Sequence, residues 1–103
     1  MAVVETTVVG SLPSATSVIC PTAGYETVGV RLSGTFTGTV TFEGSVDGAT
    51  WTTLTVSTLA GSAVTTATAA GQWTGSCAAL TAVRCRMSSY TSGTCDVAMT
   101  AIG

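Results

Sequence analysis

Glu43 and Asp47 are the two carboxylates whose spacing could support chemistry. Paired carboxylates hydrolyse glycosidic bonds, and carboxylate oxygens also bind calcium. A good calcium site, however, needs more oxygen ligands than two carboxylates supply. Asp47 is followed by Gly48, and Asp-Gly is a strong signal for a tight hairpin turn. We therefore favour a solvated hairpin end with a turn aspartate over a glycosidase or calcium site.

Catalysis by a nucleophilic side chain needs a neighbouring base. The chain has no histidine and no lysine, and its basic residues are Arg31, Arg84 and Arg86. The glycine pair Gly34 and Gly38 lacks the Lys-Ser/Thr of a phosphate-binding loop and indicates a turn. The sequence therefore predicts a protein that is not an enzyme and that uses no cofactor and no metal.

The four cysteines are Cys20, Cys77, Cys85 and Cys95, and no two have the short spacing typical of zinc sites. If a turn centred on Tyr90 joins the strands of Cys85 and Cys95, these two lie opposite each other, close enough for a disulfide. The alternative is a pair of free thiols that act as small core residues. A second disulfide between Cys20 and Cys77, within or between subunits, is a looser prediction.

Charged residues are scarce, at 8% of the chain, and the net charge is −2. This balance predicts no nucleic-acid partner and no anionic membrane partner. The N-terminus lacks the basic and long apolar regions of a signal peptide, so we expect free thiols in a reducing cytosol. A surface with so few charges has little protection against association, which indicates that other protein covers much of it.

Alternation of apolar and polar residues, without any helical period, predicts an all-β fold. We expect a single antiparallel β-sandwich, Ig-like or jelly-roll-like, of about seven or eight short strands. Residues 1–24 are interpreted as an N-terminal strand or arm with a connecting loop, and residues 25–103 as the sandwich core. The residues predicted to face inward are Val28, Val30, Leu32, Val40, Phe42, Val46, Val83, Cys85, Met87, Cys95, Val97, Met99 and Ala101.

Candidate contact residues lie outside this core pattern. Trp73, between Gly71 and Gly75, is predicted in an exposed loop, where its ring could contact a sugar or a partner. Arg84 and Arg86 share the outer face of one strand and could pair with Glu43, Asp47 or Asp96 of another subunit. The N-terminal residues Val3, Val4 and Val8 could belong to an arm that reaches a neighbouring subunit.

Residues 32–51, together with Val83-Arg84-Cys85-Arg86 and Tyr90-Thr91-Ser92-Gly93-Thr94, resemble small β-sandwich virion proteins of tailed bacteriophages. The resemblance implies a capsid decoration (cement) protein that binds the major capsid protein and itself, as a homodimer or homotrimer. It also implies assembly in the host cytoplasm and a place on the capsid surface of the virion. Such domains occur in tail and fibre proteins too, so a carbohydrate-binding or adhesin-like module is the alternative. They usually carry small apolar residues at positions 85 and 95, so the resemblance implies no disulfide there.

Overall fold

The computed structural model describes residues 5–12 and 17–102, and side chains from residue 17 onward. This part of the chain is all β, with no helix that could span a membrane. Its strands are β1 (Glu5–Leu12), β2 (Ser17–Pro21), β3 (Thr27–Ser33), β4 (Phe36–Ser45), β5 (Thr52–Thr53), β6 (Val56–Thr58), β7 (Ala63–Val64), β8 (Thr66–Ala67), β9 (Gly71–Ser76), β10 (Ala82–Gly93) and β11 (Cys95–Ile102).

The strands form two antiparallel sheets. The six-stranded sheet has the order β1-β11-β3-β9-β6-β7, and the five-stranded sheet has the order β2-β10-β4-β5, with β8 also paired to β4. The predicted single antiparallel β-sandwich is confirmed. The strand number is higher than predicted because the chain between β4 and β9 pairs in pieces of only two or three residues.

The core lies between the sheets and follows the alternation of the sequence. Inward residues of β3, β4, β10 and β11 are buried, and each fully buried aliphatic side chain contributes about 1.5–3 kcal/mol. Those predicted and found buried are Val28, Val30, Leu32, Val40, Phe42, Val83, Cys85, Met87, Cys95, Val97, Met99 and Ala101. Val46 is a wrong prediction, because β4 ends at Ser45 and the turn leaves the Val46 side chain 69% exposed.

The chain turns at Asp47-Gly48 between β4 and β5 as predicted, but the tight turn is a wrong prediction, because residues 46–51 form a six-residue connection between Ser45 and Thr52. Gly48 has a φ of 77°, which glycine adopts without strain. The Asp47 carboxylate caps the turn, because its Oδ1 accepts hydrogen bonds from the backbone N–H groups of Ala49 and Thr50, both at 2.8 Å. Glu43 and Gly44 then pair with Thr53 and Thr52, which fixes the register of the two strands.

Strands β10 and β11 do not form the hairpin that the sequence predicted. β10 pairs with β2 and β4 in the five-stranded sheet, whereas β11 pairs with β1 and β3 in the six-stranded sheet. The chain crosses between the sheets at Gly93, whose φ is 85°. It runs beside the crossing from β3 to β4, where the N–H of Thr94 donates to the carbonyl oxygen of Thr35 at 3.1 Å.

Each N-terminal strand adds an edge to one sheet. β1 pairs with β11 from Glu5 to Leu12, and β2 pairs with β10 from Ser17 to Pro21. Of the predicted arm residues, Val3 and Val4 lie outside the described residues, and the backbone of Val8 pairs opposite Met99. The interface role of this segment stays a prediction.

Candidate interaction surface

Two of the three arginines converge on one carboxylate on the outer face of the five-stranded sheet. Arg84 lies opposite Glu43 in the pairing of β10 with β4, and Arg86 is the next outward residue along β10. The Nε of Arg84 donates to Glu43 Oε1 at 2.7 Å. Arg86 donates from Nε to Oε1 at 3.0 Å and from Nη2 to Oε2 at 3.4 Å. Glu43, predicted as a possible partner across subunits, is the partner of both arginines within the chain.

This shared carboxylate is deeply covered although it lies on an outward face, since Glu43 is only 7% exposed. Burial alone would raise the pKa of Glu43, but hydrogen bonds from Arg86 and Arg84 and their positive charges outweigh it and lower the pKa. Glu43 is therefore ionised at neutral pH. Two guanidinium groups against one carboxylate leave a local excess of positive charge, on a chain whose net charge is −2.

Trp51 and Ile19 complete this surface, which we call the arginine patch (Ile19, Glu43, Trp51, Arg84 and Arg86). The guanidinium carbon of Arg84 lies 4.3 Å from the centroid of the Trp51 ring, a cation–π contact that restricts the arginine side chain. Ile19 is opposite Arg84 on β2 and is 47% exposed. Fixed guanidinium groups beside exposed apolar surface suit the recognition of a protein partner that presents carboxylates.

Glu43 and Asp47 do not act as a pair, because Glu43 is bound by the two arginines and Asp47 caps the hairpin turn. Among the residues whose side chains are described, no three metal-ligating side chains come together.

The prediction that Trp73 lies exposed in a loop is wrong. Trp73 lies in β9 and is 7% exposed, with its ring centroid 5.4 Å from that of Phe42 across the core. The flanking glycines make space for large side chains rather than a loop. A Cβ at Gly71 would lie 2.9 Å from the Trp73 ring, and one at Gly75 would lie 2.9 Å from Val56.

The four cysteines are buried free thiols in the structure, so neither predicted disulfide is formed in it. The cross-strand argument for Cys85 and Cys95 is wrong, because their strands belong to different sheets. The Cys85 thiol instead meets the Met99 sulfur across the core at 4.0 Å. Burial raises the pKa of Cys20, and a charge on Cys77 would raise it further. The pairing of Cys20 with Cys77 stays a prediction.

A groove of about 310 Å³ on the outer face of the six-stranded sheet escaped the sequence reasoning. Its lining includes Gly29, Ala98, Arg31 and Leu59. The signal in the sequence was Gly29, which leaves a gap in the outward row of β3 next to Arg31. The groove also depends on the small residue Ala98, which the pairing of β3 with β11 places opposite Arg31. This pairing could not be predicted from the sequence.

No protein-family model matches the chain, and no curated protein matches it in sequence. Its fold is similar to that of SPBc2 prophage-derived protein YomS, with a TM-score of 0.87 and 16% identity, over 100% of this chain and 96% of that one. PBSX exported protein XepA matches with a TM-score of 0.79 and 18% identity, over 96% of this chain but 38% of that one. A chain from Bacillus endospore appendages, a family of disulfide-linked pili, gives a TM-score of 0.50 and 18% identity, over 97% and 86%. At these identities the likeness establishes the fold.

Proposed function

We propose that the protein is a non-enzymatic structural protein of a tailed-phage virion, of the capsid decoration type. It would bind across neighbouring major capsid subunits at the capsid surface after assembly in the host cytoplasm. The observation that carries the proposal is the fold match to a prophage-derived protein, YomS, which spans nearly the whole of both chains. The resemblance of residues 32–51 and 83–94 to tailed-phage virion proteins supports the same class.

The arginine patch supplies the contact in this proposal. The hydrogen bonds to Glu43 and the Trp51 ring hold the guanidinium groups in place before binding, so little side-chain entropy is lost on docking. Their excess positive charge selects a capsid surface that presents aspartate or glutamate. A protein that binds only the assembled shell stabilises it by mass action, without covalent chemistry or a cofactor.

Expanded capsids that lack a decoration protein test the proposal. We expect purified protein to bind them in a saturable number of copies and to raise their melting temperature. Arg86→Gln is expected to weaken binding and to reduce its salt dependence. Arg31→Gln removes the same charge from the opposite sheet and is the matched control for capsid binding. Absence of binding at micromolar concentration would overturn the proposal. If Arg86→Gln and Arg31→Gln weaken capsid binding equally, the arginine patch is not the contact surface.

The match to XepA favours a second candidate, because there the same fold forms only part of a longer exported protein. In this candidate the chain serves as a carbohydrate-binding or adhesin-like module of a phage tail or fibre. In this candidate the residue that contacts the sugar is Trp51, which is half-buried on the outer face. Trp73 cannot take this role because its ring is buried in the core. A glycan array probed with the wild type and with Trp51→Ala tests it, and an array without signal for the wild type would exclude it.

A further inference from the structure

Arg31 lines the groove on the outer face of the six-stranded sheet, opposite Ala98 in the pairing of β3 with β11. It is exposed and forms no ion pair with any residue whose side chain the structure describes. Gly29 and Ala98 keep the groove open because they have almost no side chain. Leu59 also lines the groove and is 71% exposed, so it adds apolar surface to the groove. The groove therefore offers one positive charge beside apolar surface.

The β4–β5 turn has the complementary chemistry. Val46 is 69% exposed and is followed directly by Asp47. The hydrogen bonds that the Asp47 carboxylate accepts from Ala49, Thr50 and Ser45 all end on Oδ1, and the second oxygen takes no part in them. These hydrogen bonds lower the pKa of Asp47, with the largest effect from the backbone N–H of Thr50, then that of Ala49, then the Ser45 hydroxyl. The Asp47 carboxylate therefore stays charged. The turn therefore presents an apolar side chain and a fixed negative charge side by side.

We propose that the Val46–Asp47 turn of one copy docks into this groove on a second copy. The Asp47 carboxylate pairs with the Arg31 guanidinium, and Val46 packs against Leu59 over the space above Gly29 and Ala98. Within one chain the turn belongs to the five-stranded sheet and the groove to the other, and Asp47 and Arg31 form no ion pair. The contact is therefore made between copies.

The two surfaces differ, so the contact is head-to-tail. Successive copies close into a ring if the rotation per copy divides a full turn, and otherwise extend as a filament. The groove lies on the opposite sheet from the arginine patch, and the contact uses none of the patch residues, although Trp51 belongs to the same β4–β5 connection as the docking turn. Self-association by this contact consequently does not rest on capsid binding, and either could fail without the other.

Sedimentation velocity of the wild type from micromolar to millimolar concentration is the first test, and we expect mass to increase with concentration. Val46→Ser is expected to lower the association constant by at least about tenfold, since it removes apolar burial. Asp47→Asn keeps the Oδ1 acceptor of the turn and removes the charge, with an expected loss of about two- to fivefold. Tyr90→Thr, which changes a residue that is 40% exposed on β10 and belongs to neither the turn nor the groove, is the control and should leave association unchanged.

A mixing experiment tests the head-to-tail geometry directly. Val46→Ser has an intact groove and Arg31→Glu has an intact turn, and the two are mixed at a concentration at which the wild type associates and each variant alone is monomeric. An equimolar mixture should form heterodimers of one copy each and nothing larger, because only one contact is possible. Urea unfolding midpoints near that of the wild type verify that both variants are folded. A wild type that stays monomeric at all concentrations, or a mixture without heterodimers, would overturn the proposal.

Discussion

Arg84 and Glu43 lie opposite each other in the pairing of β10 with β4, joined by a hydrogen bond of 2.7 Å from Nε to Oε1. They are 41 positions apart in the chain, so this ion pair exists only when the central two strands of the five-stranded sheet are in register. Arg86 binds the same carboxylate. The pair thus links the stability of this sheet to the shape of the arginine patch.

Replacing Glu43 by glutamine should destabilise the protein by about 1–3 kcal/mol, because the two arginines lose a charged acceptor in a covered position. Urea unfolding at neutral pH followed by tryptophan fluorescence measures the change. Glu26→Gln is the control, since Glu26 is exposed and forms no ion pair with the side chains described. Its change should stay within about 0.5 kcal/mol. Equal effects of the two substitutions would contradict a stabilising role for the ion pair.

Acid should remove the contribution of Glu43. Its pKa in the folded protein is below the ordinary value of 4.5, so the ionised form stabilises the fold above that pH. As the pH falls through the lowered pKa, Glu43 takes up a proton and the contribution is lost. The free-energy difference between wild type and Glu43→Gln should therefore be constant near neutral pH and shrink under acid conditions. Asp47, whose pKa is also lowered, is present in both proteins and cancels. A difference that persists undiminished to about pH 3 would argue against this assignment.

The sequence predicted the parts of this fold that depend on local pattern. The period of two placed Val28, Val30 and Leu32 in the core, and Asp47-Gly48 predicted the position of the turn between β4 and β5. Both are properties of adjacent residues, so neither requires knowledge of distant pairing.

The features that the sequence reasoning missed depend on contacts between distant strands. Gly93 suits a hairpin turn and a crossing between sheets equally well, so the separation of Cys85 from Cys95 could not be read locally. Gly71 next to Trp73 suggested a loop in the sequence, whereas in the structure the glycine leaves room for the Trp73 ring. The sharing of Glu43 by Arg84 and Arg86 follows from a register that pattern alone does not fix.

Gly93→Ala should be costly at the crossing between the sheets. Gly93 has a φ of 85°, and an added Cβ would collide with the carbonyl oxygen of Thr35. We expect a loss of about 2–4 kcal/mol in the free energy of unfolding, from backbone strain and displaced backbone together. Gly24→Ala is matched in φ, at 86°, but its Cβ would meet no atom within 4 Å. It should cost about 1 kcal/mol, the strain alone. If Gly93→Ala is as stable as Gly24→Ala, the β10–β11 connection can move away from the β3–β4 connection at almost no cost in free energy.

The buried thiols should resist alkylation in the folded protein. Burial raises the pKa of Cys95 to about 11 and raises that of Cys85 further, and only the thiolate reacts. Iodoacetamide near pH 8 should therefore modify the native protein far more slowly than the urea-unfolded, reduced chain, with labelled sites identified by mass spectrometry. Ser92→Cys places a thiol at an exposed position of β10 and should be labelled rapidly in the native state. Rapid labelling of Cys85 in the native wild type would contradict the packed core. Two thiols that stay unlabelled after unfolding without reductant, and map to Cys20 and Cys77, would establish the disulfide that the sequence suggested.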